Sequence, residues 1–85
     1  LKYELVYTRR AEKDIGRLDE AAKKRIGKTL LYYREDPFRY AEKLTDPKLG
    51  TYRFRIGDYR VVFDIEGNEI VVLRVGHRKE IYRRQ

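Results

Sequence analysis

The sequence predicts an α+β fold: a small, mostly antiparallel sheet in the order strand–helix–helix–strand–strand–strand, with a helix hairpin packed on one face. Three observations lead there. Two segments repeat apolar residues at intervals of three and four behind a capping residue. Three later segments of six or seven residues alternate or run apolar and are joined by Gly-Asp and Gly-Asn turns. The chain has 85 residues, which is enough for one core, so residues 1–85 are read as a single domain.

The first strand is KYELVY (2–7), in which Tyr3, Leu5 and Tyr7 form one apolar face. Thr8 follows as an N-cap, and Ala11, Ile15 and Leu18 make the stripe of a short helix. Asp19 caps the second helix, with Glu20 in the first turn where the helix dipole favours a carboxylate. Ala22, Ile26, Leu30 and Tyr33 mark its buried side, and Pro37 ends it. Residues 36–50 hold both prolines and close on Gly50, which predicts a connector with no more than a turn of helix. Strands follow at 51–56, 59–65 and 70–75, the last two joined by EGNE (66–69). In the last strand Val71, Leu73 and Val75 compete with Ile70 and Val72 for the core, so its register stays open and an interior position covered on both faces is expected. Gly76 is expected to break this strand, leaving a polar tail relieved only by Ile81 and Tyr82.

Composition narrows the function. The chain lacks cysteine and has His77 as its one histidine, which excludes disulfides, thiolate metal sites, a cysteine nucleophile and a histidine-rich zinc site. No apolar run approaches the ~20 residues of a membrane span, so a soluble cytoplasmic protein is expected. With 21 Lys and Arg against 14 Asp and Glu, the formal charge is +7. That excess suits a polyanion, nucleic acid ahead of a membrane surface. A heat-adapted surface would also look like this, with its many charges, one Asn and one Gln.

The charges are most telling in TYRFRIGDYRVVF (51–63). A two-residue Gly57-Asp58 loop pairs Ile56 with Tyr59, Arg55 with Arg60, Phe54 with Val61 and Arg53 with Val62. One face is then apolar and the other collects Arg53, Arg55 and Arg60. Unit charges about 5 Å apart repel by about 1 kcal/mol in water and about 3 kcal/mol at an effective dielectric near 20. Glu or Thr would solvate a strand face without that repulsion, so the arrangement points to a bound anion. Arginine suits bidentate phosphate recognition, and after residue 50 the chain has seven arginines and one lysine. The following VLRVGHRKEIYRR brings His77, Arg78 and Tyr82 to the end of the last strand. Read singly, these are ordinary wet-face, capping and packing residues. Together they describe a basic site with an aromatic edge.

The stretches YRFRIGDYRVV and VGHRKEIY resemble the C-terminal half of the RelE/ParE superfamily of toxins from toxin–antitoxin pairs, particularly its RelE branch, and LVYTRRAEKDIGRLDEAAKKRIGKTL is similar to that family's first strand and helix pair. The resemblance implies a RelE-like fold and a metal-independent endoribonuclease, without a cofactor, that cuts messenger RNA in the ribosomal A site by 2′-OH attack on the adjacent phosphate. It implies as partners the ribosome, mRNA and an acidic, helical, RelB-like antitoxin that wraps the toxin. By the same resemblance the catalytic set falls on Arg53, Arg55, Arg60, Arg78 and Tyr82; His77, whose ordinary pKa alone suits acid–base work near neutrality, and Lys43 and Lys48 are secondary or RNA-binding candidates. Well-known members carry lysines where this chain has Arg53 and Arg55, and a guanidinium is a poor general base. A ParE-like inhibitor of DNA gyrase and a catalytically impaired RNA- or ribosome-binding module are the alternative functions.

Overall fold

The computed structural model describes residues 2–46 and 48–82. Its elements are β1 (Glu4–Tyr7), α1 (Arg9–Gly16), α2 (Glu20–Tyr33), α3 (Pro37–Tyr40), β2 (Glu42–Lys43), β3 (Tyr52–Ile56), β4 (Tyr59–Glu66) and β5 (Glu69–His77). The strands form one sheet in the order β1-β5-β4-β3-β2. β1 runs parallel to β5, and the other neighbours are antiparallel.

The helices begin where their caps direct. Thr8 Oγ1 accepts the Ala11 amide at 3.1 Å, and Asp19 Oδ1 accepts that of Ala22 at 2.7 Å. Each bond satisfies an amide that the first helical turn leaves without a partner. Ala11, Ile26 and Leu30 from the helices then meet Phe54, Ile56, Val61, Phe63, Ile70, Val72 and Val75 from the sheet in one core. At its centre Phe54 and Phe63 stack with centroids 4.1 Å apart. The β3–β4 hairpin has the expected register throughout. Gly57 sits at φ 61° and no non-glycine residue among the described residues has positive φ, which fits the turn class with glycine in its first central position.

Three features depart from expectation. The connector contains a strand, β2, whose two residues pair with Arg53 and Tyr52. Two residues are too few for alternation to register in a sequence. Next, Gly76 does not break β5, which continues to His77. Gly76 lies opposite Arg60, and the buried Ile81 folds back over it, so that a Cβ there would touch Ile81 Cδ1 at 3.4 Å.

The third concerns the face turned away from the helices, the one that carries Arg53, Arg55 and Arg60. It is closed at its centre. Val62 is only 1% exposed because the connector crosses over it at Gly50. The open register of β5 is also resolved here. Val62 pairs with Arg74 and Phe63 with Val72, leaving Leu73 as a surplus residue in a bulge. Ile70 and Val72 face the core before the bulge, and Val75 does so after it. Both competing apolar sets are therefore used, one on each side of the bulge.

Gly50 has φ 150°, and a Cβ added there would lie 2.6 Å from Val62 Cγ1 and 3.0 Å from Leu73 Cδ1. Gly50→Ala is expected to cost roughly 2 kcal/mol from backbone strain and overlap, lowering Tm by about 8–16 °C for a domain this small. Gly27→Ala, in α2 with open space around it, should instead raise stability by roughly 0.5–1 kcal/mol. Circular-dichroism melts of the two variants check both signs.

Candidate functional site

β3 and β4 carry Arg53, Arg55 and Arg60 on the face away from the helices, as the pairing of Arg55 with Arg60 requires. The turn after β5 adds the rest. The Arg78 amide donates to Asp58 O at 2.7 Å, and those of Glu80 and Ile81 both donate to His77 O at 2.9 Å. Anchored by Ile81, this turn returns the chain to the sheet and sets Tyr82 against β3. The Tyr82 hydroxyl accepts from Arg53 Nη1 at 3.0 Å, and its ring lies 5.9 Å from the guanidinium carbon. Residues 29 positions apart in the chain thus share one contact.

The expected repulsion is answered unequally. β2 places Glu42 directly opposite Arg53. Its Oε1 accepts from Arg53 Nε at 2.9 Å, and its Oε2 lies 3.6 Å from Arg55 Nη1. The bond from Arg53 and the charges of both arginines hold the Glu42 carboxyl below its usual value. The bonds to Tyr82 and Glu42 raise the pKa of Arg53. Arg78 Nε stands 3.5 Å from Asp58 on an exposed turn.

Arg60 differs from these. It is 5% exposed and has no carboxylate partner among the described residues. Its Nη1 donates to the carbonyls of Gly57 and Tyr59, both at 2.9 Å. Burial lowers its pKa, and the charges of Arg55, Arg53 and Arg78 add to that effect against an opposing contribution from Tyr82. Arg60 therefore braces the hairpin turn as well as adding charge. Arg25 of α2 lies over the same turn, with Nη1 only 2.6 Å from where a Gly57 Cβ would stand.

The structure therefore brings together Arg53, Arg55, Arg60, Arg78 and Tyr82. Three other candidates stay apart. His77 pairs with Tyr59 and shares the helix-side face, its ring edge-on to Tyr59, and its Nδ1 accepts the Lys79 amide at 3.1 Å. Lys43 lies opposite Tyr52, so it points away from the face that Glu42 and Arg53 share. Lys48 is exposed in a connector turn closed by Asp46. Arg83 and Arg84 of the basic tail lie outside the described residues.

Glu42 is the member that sequence reasoning missed. Its signal was the need itself, since two crowded arginines call for a carboxylate and the connector offers few. Chemically, the cluster is a set of guanidinium donors held in place, one of them largely desolvated, with an aromatic hydroxyl at its edge. Guanidinium donors held in this way suit phosphate oxygens and negative charge developing on them.

Residues 5–82 match the family described as ParE toxin of type II toxin–antitoxin system, parDE. The chain belongs to this RelE/ParE family of toxins. It is 41% identical over 51 residues to toxin RelG of Mycobacterium tuberculosis, a match covering 58% of this chain and 59% of that protein. The matched stretch thus spans little more than half of that curated relative. The fold is similar to that in the M. tuberculosis toxin–antitoxin complex RelBE2, with a TM-score of 0.81, 26% identity, and coverage of 92% of this chain and 100% of that one. It is also similar to an arginine-to-alanine mutant of Escherichia coli toxin RelE in the free state, with a TM-score of 0.77, 26% identity, and coverage of 96% and 92%.

Because the folded-state pKa of Glu42 is lowered, its contribution to stability is present above the ordinary carboxylate pKa and is lost as pH falls through the folded value. The group is 41% exposed, so solvent screening keeps the effect below about 1 kcal/mol. Glu42→Gln should therefore lower Tm by a few degrees near pH 7 and give a flatter profile than the parent below about pH 5. Thermal melts from pH 3 to 7 check the difference.

Proposed function

We propose that this protein is the toxin of a RelBE-type pair and a metal-independent, ribosome-dependent endoribonuclease that cleaves messenger RNA in the ribosomal A site. The observation that carries the reading is the convergence of Arg53, Arg55, Arg60, Arg78 and Tyr82 on one end of the sheet. The reaction is intramolecular. The RNA 2′-OH attacks the adjacent phosphorus in line and expels the 5′-oxygen, leaving a 2′,3′-cyclic phosphate and a 5′-hydroxyl. Arg53 and Arg55 grip the backbone, exchanging their bonds to Glu42 for bonds to phosphate oxygens. Arg60 supplies charge at short range from a fixed position, and the exposed Arg78 closes on the scissile group. Tyr82, already oriented by Arg53, stacks on a neighbouring base.

Guanidinium groups stay protonated near neutrality, so they stabilise charge and do not abstract the proton. His77 faces the other side of the sheet. The cluster thus favours electrostatic stabilisation over an acid–base pair, which supports a requirement for the ribosome to hold the message in a reactive shape.

The partner reading follows from charge. A chain of formal charge +7 with a guanidinium cluster attracts an acidic segment that folds as it binds. A cognate acidic antitoxin covering this face would block access to RNA. The ParE description of the matched family favours one second reading, a gyrase inhibitor. A supercoiling assay separates it from message cleavage.

Arg78→Ala should reduce cleavage of a translated message by at least ~100-fold, the scale for losing one transition-state donor. Its Tm should stay within about 2 °C of the parent, because an exposed pair at 3.5 Å contributes little. Mapping 5′ ends of a translated message with the purified protein tests this. Unchanged cleavage in the variant, or gyrase inhibition without cut ends, would overturn the reading.

A further inference from the structure

A second basic site lies across β5 from the arginine cluster. β1 accompanies β5 only as far as the pairing of Tyr7 with Val72. Beyond that point α1 takes over the edge. Thr8 donates its amide to Val72 O at 3.0 Å and its hydroxyl to Leu73 O at 3.2 Å, and Asp14 Oδ2 accepts the Val75 amide at 2.9 Å. Between α1 and this end of β5 is a cavity of about 330 Å³.

Its polar lining is organised around Asp14, which is 6% exposed. Besides the Val75 amide, Asp14 Oδ2 accepts Arg74 Nε at 2.7 Å, while Oδ1 lies 3.5 Å from Arg10 Nε. Each arginine is held through its Nε, so neither Nη pair is used by this carboxylate. Arg17, the C-cap of α1, lies about one turn beyond Asp14 and two beyond Arg10 on the same lining and makes no ion pair among the described residues. His77 lines the cavity too, its Nδ1 accepting from the Lys79 amide. Three guanidiniums against Asp14 and Glu80 leave the lining net positive. The remaining walls, Leu18, Tyr59, Val75 and Ile81, are apolar or aromatic.

From this arrangement we infer that the cavity is a binding site for a nucleoside 5′-phosphate, separate from the cleavage cluster. Arg10, Arg17 and Arg74 hold the phosphate through Nη donors that Asp14 orients from behind. The base lies against Leu18 and the Tyr59 ring. The volume is far larger than a bare phosphate needs and lies at the small end of ligand pockets, where a mononucleotide fits. A net positive lining with oriented guanidiniums selects the phosphate, and the apolar wall selects the nucleoside.

The test is fluorescence anisotropy of N-methylanthraniloyl-AMP with the 85-residue protein, with AMP, inorganic phosphate, adenosine, a short single-stranded RNA and an acidic peptide as competitors. Saturable binding displaced by AMP is expected. Adenosine and inorganic phosphate should each compete at least ~10-fold less well, the scale for losing one charge-assisted contact. Arg17→Ala should weaken binding by at least ~10-fold without altering message cleavage, and Arg55→Ala should leave nucleotide affinity unchanged. The inference is overturned by no binding below millimolar AMP, or by affinity lost in Arg55→Ala and kept in Arg17→Ala. Equal competition by phosphate alone, or displacement only by RNA or by the acidic peptide, would overturn it as well.

Discussion

Like charges crowd one end of this sheet, and the fold must hold them there against their own repulsion. Arg55 and Arg60 face each other across a tight hairpin, with Arg53 and Arg78 close by. The compensation comes from three sources of different strength. Glu42 bridges Arg53 and Arg55 from an edge strand, Asp58 meets Arg78 at longer range, and Arg60 is held by two main-chain carbonyls. The exposed bridges are weak and exchangeable, so an incoming phosphate can replace them at small cost. The buried contact is not exchangeable in that way. Arg60 is therefore a fixed charge around which the others rearrange.

This division accounts for the odd construction of the connector. A two-residue strand contributes little cohesion, yet it is what places Glu42 opposite Arg53. The same segment then crosses the sheet at Gly50 and seals Val62, confining the solvated part of that face to the arginine end. The solvated area is small because the connector covers the remainder of the face.

Much of this was legible in the sequence because the relevant forces are local. Thr8 and Asp19 cap helices by reaching their own third-following amides, and Gly57-Asp58 sets a hairpin whose register places every side chain of β3 and β4. That Arg53, Arg55, Arg60, Arg78 and Tyr82 gather at one end of the sheet followed from the same hairpin register combined with family resemblance. What stayed hidden depended on distant partners. Asp14 looks like one more polar residue on a charged helix until β5 brings Val75 and Arg74 to it from 61 and 60 positions away. Glu42 lacks a periodic signal, because its strand is shorter than one repeat. His77 was placed near the arginines on the assumption of a break at Gly76. The strand continues instead, and alternation carries the ring to the opposite side.

The bulge at Leu73 makes β5 a phase converter. Upstream, even-numbered residues turn inward, and downstream the odd-numbered ones do. A single surplus amino acid therefore decides which side of the molecule receives Gly76 and which receives His77, and with them the direction from which the closing turn departs. Insertion or loss of one residue at this point would exchange the two surfaces wholesale while leaving the upstream half of the strand in place. Lineages descended from such a scaffold could relocate chemistry through a length change in one strand, with no new side chain required.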